Sequence, residues 1–166
     1  MRNTYEVRAE KFIHQIFNYI WECEDVDDYE WAVNHFNYEH HRNVKVAHGL
    51  TRVALITSDY VVKIDCGRAH DLNTFGGCAN EFDIYAQAEE DGFAYLFAKP
   101  TEVVYNGLTF CVMPRIRGIG REFNDADWYM SAEECDWVCE RVFDLHNGNY
   151  GWKDGHPVLI DYAANC

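Results

Sequence analysis

Three short runs of β-branched and apolar residues between Val44 and Asp65 constrain the fold of this chain more than any other feature. The runs read VKVAHG, TRVALIT and YVVKID, and they are separated by Gly49 and by the turn-forming residues SDY. Runs of this kind, bounded by turn residues, are typical of β-strands. The segment therefore predicts a three-stranded antiparallel meander.

A helix and a hairpin are predicted to follow the meander. Apolar residues at helical spacing predict a helix over residues 80–91, and Gly92 stands where a helix C-cap is expected. Next, TEVVYNG and LTFCVMPRI flank Asn106 and Gly107, which is the strongest short-range hairpin signal in the chain. We expect the meander and this hairpin to form one five-stranded sheet with a single helix against it.

Helical patterns also occur at both ends of the chain. Apolar residues three and four apart predict an amphipathic helix over about residues 4–22, and a second, shorter helix follows the acidic run ECEDVDDYE. Near the other end, Ser131 and Glu134 form a capping-box pattern before a helix, and NYGW with PVLIDYA predicts a small second hairpin. The order of elements indicates an α+β fold, with an N-terminal helical extension (residues 1–43) and one domain (residues 44–166).

The chain is strongly acidic. Its 166 residues include 28 acidic and 14 basic side chains, for a formal charge of −14, which repels nucleic acid and anionic membranes. We therefore expect neither as a partner. The charge has two interpretations, solubility or attraction to a basic protein surface. The start of the chain lacks an apolar signal core and no run approaches membrane-spanning length, so we expect a soluble, cytoplasmic protein.

The cysteines give no sign of a disulfide framework or a metal site. All seven are scattered, and none forms a C-x-x-C pair, which suits free thiols in a reducing compartment. Cys135 and Cys139 are four residues apart and would share one face of a helix, where packing is the simpler interpretation. The spacing of His40 and His41 likewise does not favour zinc.

Five polar residues occur in an order that suits phosphoryl transfer. The reaction needs a cation on the nucleotide phosphates, oxygen ligands for magnesium and a carboxylate facing the acceptor hydroxyl. Lys63 lies in the third predicted strand, and Glu81 lies eighteen residues later in the next helix. Asp144 and Asn149 are five apart within DLHNGN, and Asp161 follows in the last hairpin. These residues also have structural interpretations. Lys63 and Glu81 could be exposed residues of a strand and a helix, and DLHNGN could be a helix-to-strand turn.

With these five residues in order, the sequence resembles the protein-kinase-like superfamily. The DLHNGN motif is closer to the form found in atypical and small-molecule kinases than to the common eukaryotic form. The chain looks most similar to the compact serine/threonine kinases that some bacteriophages make early in infection, including the REFNDADWY stretch at residues 121–129. The resemblance covers roughly residues 44–163.

The resemblance implies a role for each matching residue, with ATP and Mg²⁺ as cofactors. Lys63 would hold the α- and β-phosphates and Glu81 would fix its ammonium group. Asp144 would accept the proton of the acceptor hydroxyl. Asn149 and Asp161 would bind magnesium. Within FCVMPRI, Met113 would lie beside the adenine, and Gly49 would be the remnant of a phosphate-covering loop.

The departures from the family pattern leave two hypotheses for function. One glycine replaces a glycine-rich loop, Ala163 stands where the metal-binding triplet usually has glycine, and only three residues follow DYA. The resemblance therefore predicts a truncated form with a minimal C-terminal remnant and no activation segment. The first hypothesis is a serine/threonine kinase-like phosphotransferase, in the host cytoplasm if encoded by a phage.

The second hypothesis is a binding protein. It would keep a catalytically weak or inactive kinase-like shell and use its acidic surface to inhibit a host enzyme or defence factor with a basic surface. The sequence leaves open the identity of the substrate or target. It also leaves open whether a second subunit, as in a homo-oligomer, replaces the missing lobe.

Overall fold

The computed structural model describes residues 4–49, 52–65, 77–118, 129–143 and 145–162. Its helices are α1 (Thr4–Ile20), α2 (Val26–His40), α3 (Gly77–Asp91) and α4 (Ala132–Cys139). Its strands are β1 (Lys45–His48), β2 (Arg52–Ile56), β3 (Tyr60–Asp65), β4 (Thr101–Tyr105), β5 (Leu108–Pro114), β6 (Arg117–Gly118), β7 (Tyr150–Lys153) and β8 (His156–Leu159). The chain forms two compact units, residues 1–78 with 101–115 and residues 79–100 with 116–166.

The first unit is built on a five-stranded antiparallel sheet. Its strand order is β1-β2-β3-β5-β4, so the predicted meander and hairpin join through the pairing of β3 with β5. The hairpin turns at Asn106 (φ 54°) and Gly107 (φ 82°), and two successive positive φ angles are the signature of a type I′ turn. The prediction of one five-stranded antiparallel sheet is confirmed.

Helices α1 and α2 pack on one face of this sheet, so the expectation that a single helix, residues 80–91, packs against it is wrong. Apolar residues at three- and four-residue spacing give α1 a continuous buried stripe. This stripe packs against the apolar side chains on the facing side of the sheet, and together they form a single core. The buried members include Phe12, Ile13, Ile16, Phe36, Val53, Leu55, Val62, Ile64, Phe110 and Val112. Helices α1 and α2 therefore share their core with the sheet.

Local capping determines where α2 begins and ends. The Asp25 carboxylate accepts a hydrogen bond from the amide of Asp28 at 3.0 Å, which is a standard N-cap. At the other end His41 adopts a left-handed conformation (φ 50°). Beyond it, the Asn37 side chain donates to the carbonyl of Val44 at 2.8 Å and accepts from its amide at 2.9 Å. This two-way bridge ties the chain between α2 and β1 to the helix.

The second unit contains a three-stranded sheet, of which the sequence predicted only the β7–β8 hairpin. Strand β6 has two residues and pairs with β7, giving the order β6-β7-β8. The predicted capping box on α4 is confirmed, because the Ser131 hydroxyl accepts from the amide of Glu134 while the Glu134 carboxylate accepts from the amide of Ser131. Gly92 (φ 86°) follows α3 as predicted. No helix in the described part of the chain is long and apolar enough to cross a membrane.

Candidate functional site

Four polar or charged side chains are buried in the described residues. They are Lys63 (6% exposed), Asp65 (9%), Glu81 (0%) and Asn149 (7%). Burying a charged group is costly unless it is paired or hydrogen-bonded, so such residues are rare in ordinary cores. Three of the four are residues that the sequence analysis assigned to phosphoryl transfer. Asp65 was not assigned.

Lys63 lies at the centre of β3, on the sheet face opposite the helices. It is directly across from Ala54 in β2 and Cys111 in β5. Because side chains alternate along a strand, Met113 points to the same side as Cys111. Both are almost fully buried. The neighbours of Lys63 on this face of the sheet are therefore apolar. Met113 is one of them, because it lies two residues along β5 from Cys111.

Asp65 ends β3 and caps the start of α3. Its two carboxylate oxygens lie 3.1 Å and 3.2 Å from the amide nitrogen of Cys78, which donates to them. An anion at this position also interacts favourably with the helix dipole. A Cβ atom at Gly77 would lie 2.9 Å from Asp65 Oδ1 and 2.8 Å from Arg52 Cδ, so a larger residue there would require these side chains to shift.

Glu81 is completely buried on α3 in the second unit. Its Oε1 atom accepts a hydrogen bond from the main-chain amide of Tyr162 at 3.4 Å. The Tyr162 hydroxyl in turn donates to the carbonyl of Ala98 at 2.8 Å, and its ring packs edge-on against Phe97. These contacts connect Glu81 to the chain immediately after Asp161. The neighbouring acidic residues of α3, Asp83 among them, are exposed.

The β7–β8 hairpin brings Asn149 and Asp161 together. The main-chain oxygen of Asn149 accepts from the amide of Ile160 at 2.8 Å and from that of Asp161 at 3.3 Å. Asn149 precedes β7 and Asp161 follows β8, so the pairing of Tyr150 with Leu159 sets their proximity. Amide and carboxylate oxygens are hard ligands that suit Mg²⁺. Two protein ligands leave most of an octahedral shell to water or phosphate.

A local turn organises the residues just before Asn149. The Asn149 amide donates to the carbonyl of His146 at 2.9 Å, and the Gly148 amide donates to His146 Nδ1 at 3.0 Å. A Cβ atom at Gly148 would lie 2.7 Å from the imidazole ring of His146. No role was predicted for His146 from the sequence. The His-x-Gly spacing is the signal for this turn.

Some predicted features lie outside the described residues. These include Asp144, the proposed catalytic base, most of the REFNDADWY stretch (residues 121–128) and Ala163. Gly49 is described; it is exposed, and its amide donates to the carbonyl of Arg52 at 2.9 Å. The described residues contain no group of three or more His, Cys, Asp or Glu side chains that could hold a metal ion.

Comparison with known proteins finds distant structural likeness only. No protein-family model matches the chain, and no curated protein matches it in sequence. Among solved structures, WbdD bound to the kinase inhibitor LY294002 is 15% identical with a TM-score of 0.36, over 70% of this chain and 31% of that one. The ternary complex of APH(2")-IIa with streptomycin and ATP is 18% identical with a TM-score of 0.35, over 74% of this chain and 42% of that one.

The chain thus spans about a third to two-fifths of the length of the structures it matches. It resembles proteins crystallised with ATP or with a kinase inhibitor, at low TM-score. Likeness at this level establishes neither a family nor an activity.

Proposed function

We propose that this protein is an ATP- and Mg²⁺-dependent phosphotransferase of the protein-kinase-like type. The observation that carries the proposal is the burial of Lys63, Glu81 and Asn149, which are three of the four buried polar side chains in the described residues. The order of these residues in the sequence and the resemblance to protein kinases had assigned all three to the reaction. A protein with only a structural use for this fold gains little from burying them, because each burial costs free energy.

Each residue has a chemical role in this proposal. Lys63 neutralises the α- and β-phosphates, and Glu81 keeps the role that the sequence resemblance implies. Met113 lies beside the adenine, which is the position that the sequence resemblance implies. Asn149 and Asp161 contribute oxygens to Mg²⁺. When bound, the metal ion neutralises charge on the transferred phosphoryl group and holds it in line.

The transfer step uses one further residue, Asp144. The acceptor hydroxyl gives its proton to the Asp144 carboxylate while its oxygen forms a bond to the γ-phosphorus. The bond from that phosphorus to the β–γ bridging oxygen breaks, and ADP leaves with the electron pair. The choice of a protein serine or threonine as acceptor, and an origin in a bacteriophage acting on host proteins, rest on the sequence resemblance.

The test is transfer of the γ-phosphate from ATP to a mixture of candidate host proteins. We expect Asp144→Asn to lower the rate by roughly two to four orders of magnitude, because the base is lost while the shape is kept. Lys63→Met should abolish transfer through lost phosphate positioning. Asp83→Asn on the exposed side of α3 is the matched control and should keep the wild-type rate. Absence of transfer and of ATP binding by the wild-type protein would refute the proposal.

A second candidate function is supported by the acidic segment that connects α1 to α2 and includes the first turn of α2. The six acidic side chains of residues 22–30 are all exposed. Trp21 (53% exposed) and Trp31 (69%) flank them. Exposed tryptophan next to charge is typical of protein-binding surfaces. We propose as the alternative that this surface binds a basic host protein and inhibits it.

Charge reversal separates the two candidates. Glu22→Lys, Glu24→Lys and Glu30→Lys remove acidity while leaving Asp25 and Asp28, which accept main-chain hydrogen bonds at the start of α2. In the binding hypothesis the triple variant loses its cellular effect, and Asp144→Asn keeps it. Association with the partner should also slow steeply as salt rises, because steering is screened over about 8 to 10 Å. In the enzyme hypothesis the Asp144→Asn variant loses the effect.

A further inference from the structure

A cavity in the first unit concentrates positive charge on an otherwise acidic protein. The cavity has a volume of about 690 Å³ and lies between α1, the segment from α2 to β1, and the β2–β3 turn. Its 15 lining residues include five of the 14 basic residues, which are Arg8, Lys11, Arg42, Lys45 and Arg115. They include one of the 28 acidic residues, Asp59. The lining therefore carries a formal charge of +4 and the other 151 residues carry −18.

Two of the five cations are anchored at the rim by the β2–β3 turn. Arg8 forms an ion pair with Asp59, with a nitrogen-to-oxygen distance of 2.7 Å. Arg115 donates from its guanidinium to the carbonyl of Thr57 at 2.8 Å, and its main-chain amide donates to the carbonyl of Asp59 at 2.8 Å. These contacts fix one edge of the cavity.

The other three cations have no carboxylate partner in the part of the chain that the structure describes. Among those residues, no carboxylate lies within ion-pair distance of Lys11, Arg42 or Lys45. In a chain with twice as many acidic as basic residues, a group of cations without carboxylates is unexpected by chance. Mutual repulsion of like charges also opposes the cluster, and a bound anion would relieve it.

The positions of these cations are set by the fold. Arg42 and Lys45 lie on the segment that Asn37 ties to α2 through both hydrogen-bonding groups of Val44. Lys11 lies one turn along α1 from Arg8, so the two share a face of that helix. Three separate elements therefore hold cations around one space, which lowers the ordering cost of binding.

The cavity wall is aromatic beneath the cations. Phe12 and Tyr60 line it, both are buried, and their ring centroids are 5.9 Å apart. Burial raises the pKa of the Tyr60 hydroxyl, and the charges of Arg42 and Arg8 partly offset this effect. The Tyr60 hydroxyl also donates a hydrogen bond to the main-chain oxygen of Arg8 at 3.4 Å, which places this part of α1 at the same wall.

From this arrangement we propose that the cavity binds a small, compact polyphosphate anion, separately from the candidate ATP site. The volume lies in the range that holds small-molecule ligands. Phosphate groups place several charges within a few ångströms and accept charge-assisted hydrogen bonds from arginine and lysine. A long nucleic acid fits less well, because its flanking phosphates would extend beyond the cavity and the other 151 residues carry a formal charge of −18.

The test is calorimetric titration with inorganic triphosphate in the absence of magnesium. Lys11→Gln combined with Arg42→Gln should weaken binding by at least about tenfold, since each lost charge-assisted contact is worth about that factor. Arg117→Gln combined with Lys153→Gln removes the same charge from exposed positions elsewhere and is the matched control. It should change affinity by less than about twofold. An equal loss in both double variants would show a net-charge effect and overturn the proposal.

Two further experiments test whether triphosphate binds at another site and whether the cavity prefers another ligand. Lys63→Met should leave triphosphate binding unchanged. Loss of triphosphate binding in this variant would place the anion at the candidate ATP site instead. Hexaglutamate should bind more weakly than triphosphate, and tighter binding would assign the cavity to an acidic peptide. On isotope-labelled wild-type protein, triphosphate should shift the amide signals of residues 8–11 and 41–45. Shifts confined to other residues would overturn the proposal independently of any variant.

Discussion

The main-chain amide of Asp161 lies 3.3 Å from the main-chain oxygen of Asn149, although twelve residues separate them in the sequence. The hairpin formed by β7 and β8 accounts for this proximity. Asn149 is also only 7% exposed, whereas Asp161 is partly exposed. In the proposed function these two side chains supply the protein oxygens for Mg²⁺, and this leads to the first prediction.

Asp161→Asn should remove the effect of magnesium on ATP binding. In the wild-type protein we expect Mg²⁺ to strengthen ATP binding by about tenfold or more, because the metal ion joins the phosphates to the protein oxygens. The nucleotide-free protein should bind Mg²⁺ only weakly. Asp154→Asn in the β7–β8 turn removes the same charge and should behave as wild type. Calorimetry with and without Mg²⁺ measures both, and an unchanged magnesium effect in Asp161→Asn would contradict the assignment.

Ile13→Ala should destabilise the first unit strongly. Ile13 is fully buried in the core that α1 shares with the sheet. Removing a buried isoleucine side chain to the β-carbon costs about 2–5 kcal/mol of unfolding free energy. Val7→Ala on the same helix, at a position 53% exposed, should cost well under about 1 kcal/mol. Denaturant titration compares the two, and similar costs would mean that α1 contributes little to the core.

Gly107→Ala should destabilise the β4–β5 hairpin. Gly107 has φ 82°, where a side chain is strained, even though nothing lies within 4 Å of an added Cβ atom. We expect a loss of about 1 kcal/mol or more in unfolding free energy. Gly49→Ala is the control, because the nearest atom to its added Cβ is the Arg52 carbonyl oxygen at 4.0 Å and its φ is ordinary. Equal stability of the two variants, measured by thermal unfolding, would argue against the type I′ turn.

Glu134→Gln should lower stability at neutral pH and lose this effect in acid. The hydrogen bond from Tyr95, with those from Ser131, holds the pKa of the Glu134 carboxyl below its usual range. The same contact raises the pKa of Tyr95 to about 12. A carboxyl whose folded pKa is lowered stabilises the fold above its unfolded pKa, and this stabilisation disappears as pH falls through the folded value.

The stability difference between wild type and Glu134→Gln should therefore be constant from about pH 6 to 8 and shrink below about pH 4.5, where the unfolded carboxyl begins to bind its proton. Glu133→Gln, exposed one residue earlier in the same turn of α4, serves as the control for charge near a helix N-terminus. Denaturant titration across this pH range measures the difference. If the stability difference between wild type and Glu134→Gln grew as the pH fell, the result would contradict a lowered pKa of Glu134.

Local chemistry made several elements of both units predictable from sequence. The β-branched runs, the Asn106–Gly107 turn and the Ser131–Glu134 capping box each depend on residues close together in the chain. Such signals act through backbone preference and neighbouring hydrogen bonds, which need no knowledge of the rest of the fold. For the same reason the candidate residues Lys63, Asn149 and Asp161 could be assigned to their elements in advance.

Other features depended on contacts between distant segments. Strand β6 is two residues long, too short to leave a periodic pattern, and exists because Arg117 and Gly118 pair with β7. The cation cluster combines residues from α1, the α2–β1 segment and the chain just after β5, and no local pattern connects them. The net charge of the whole sequence, −14, also gives no indication of a local positive cluster.

The sequence by itself determined the order of strands and helices and the positions of the polar residues along them. Only the tertiary structure decided which of those residues are buried. Four carboxylates stand on α3 within ten residues of Glu81, yet Glu81 alone is fully buried there, and Asp65 is buried where no local signal marked it. The physical reason is that burial of a charge depends on the partners that other segments bring to it, here the amides of Tyr162 and Cys78.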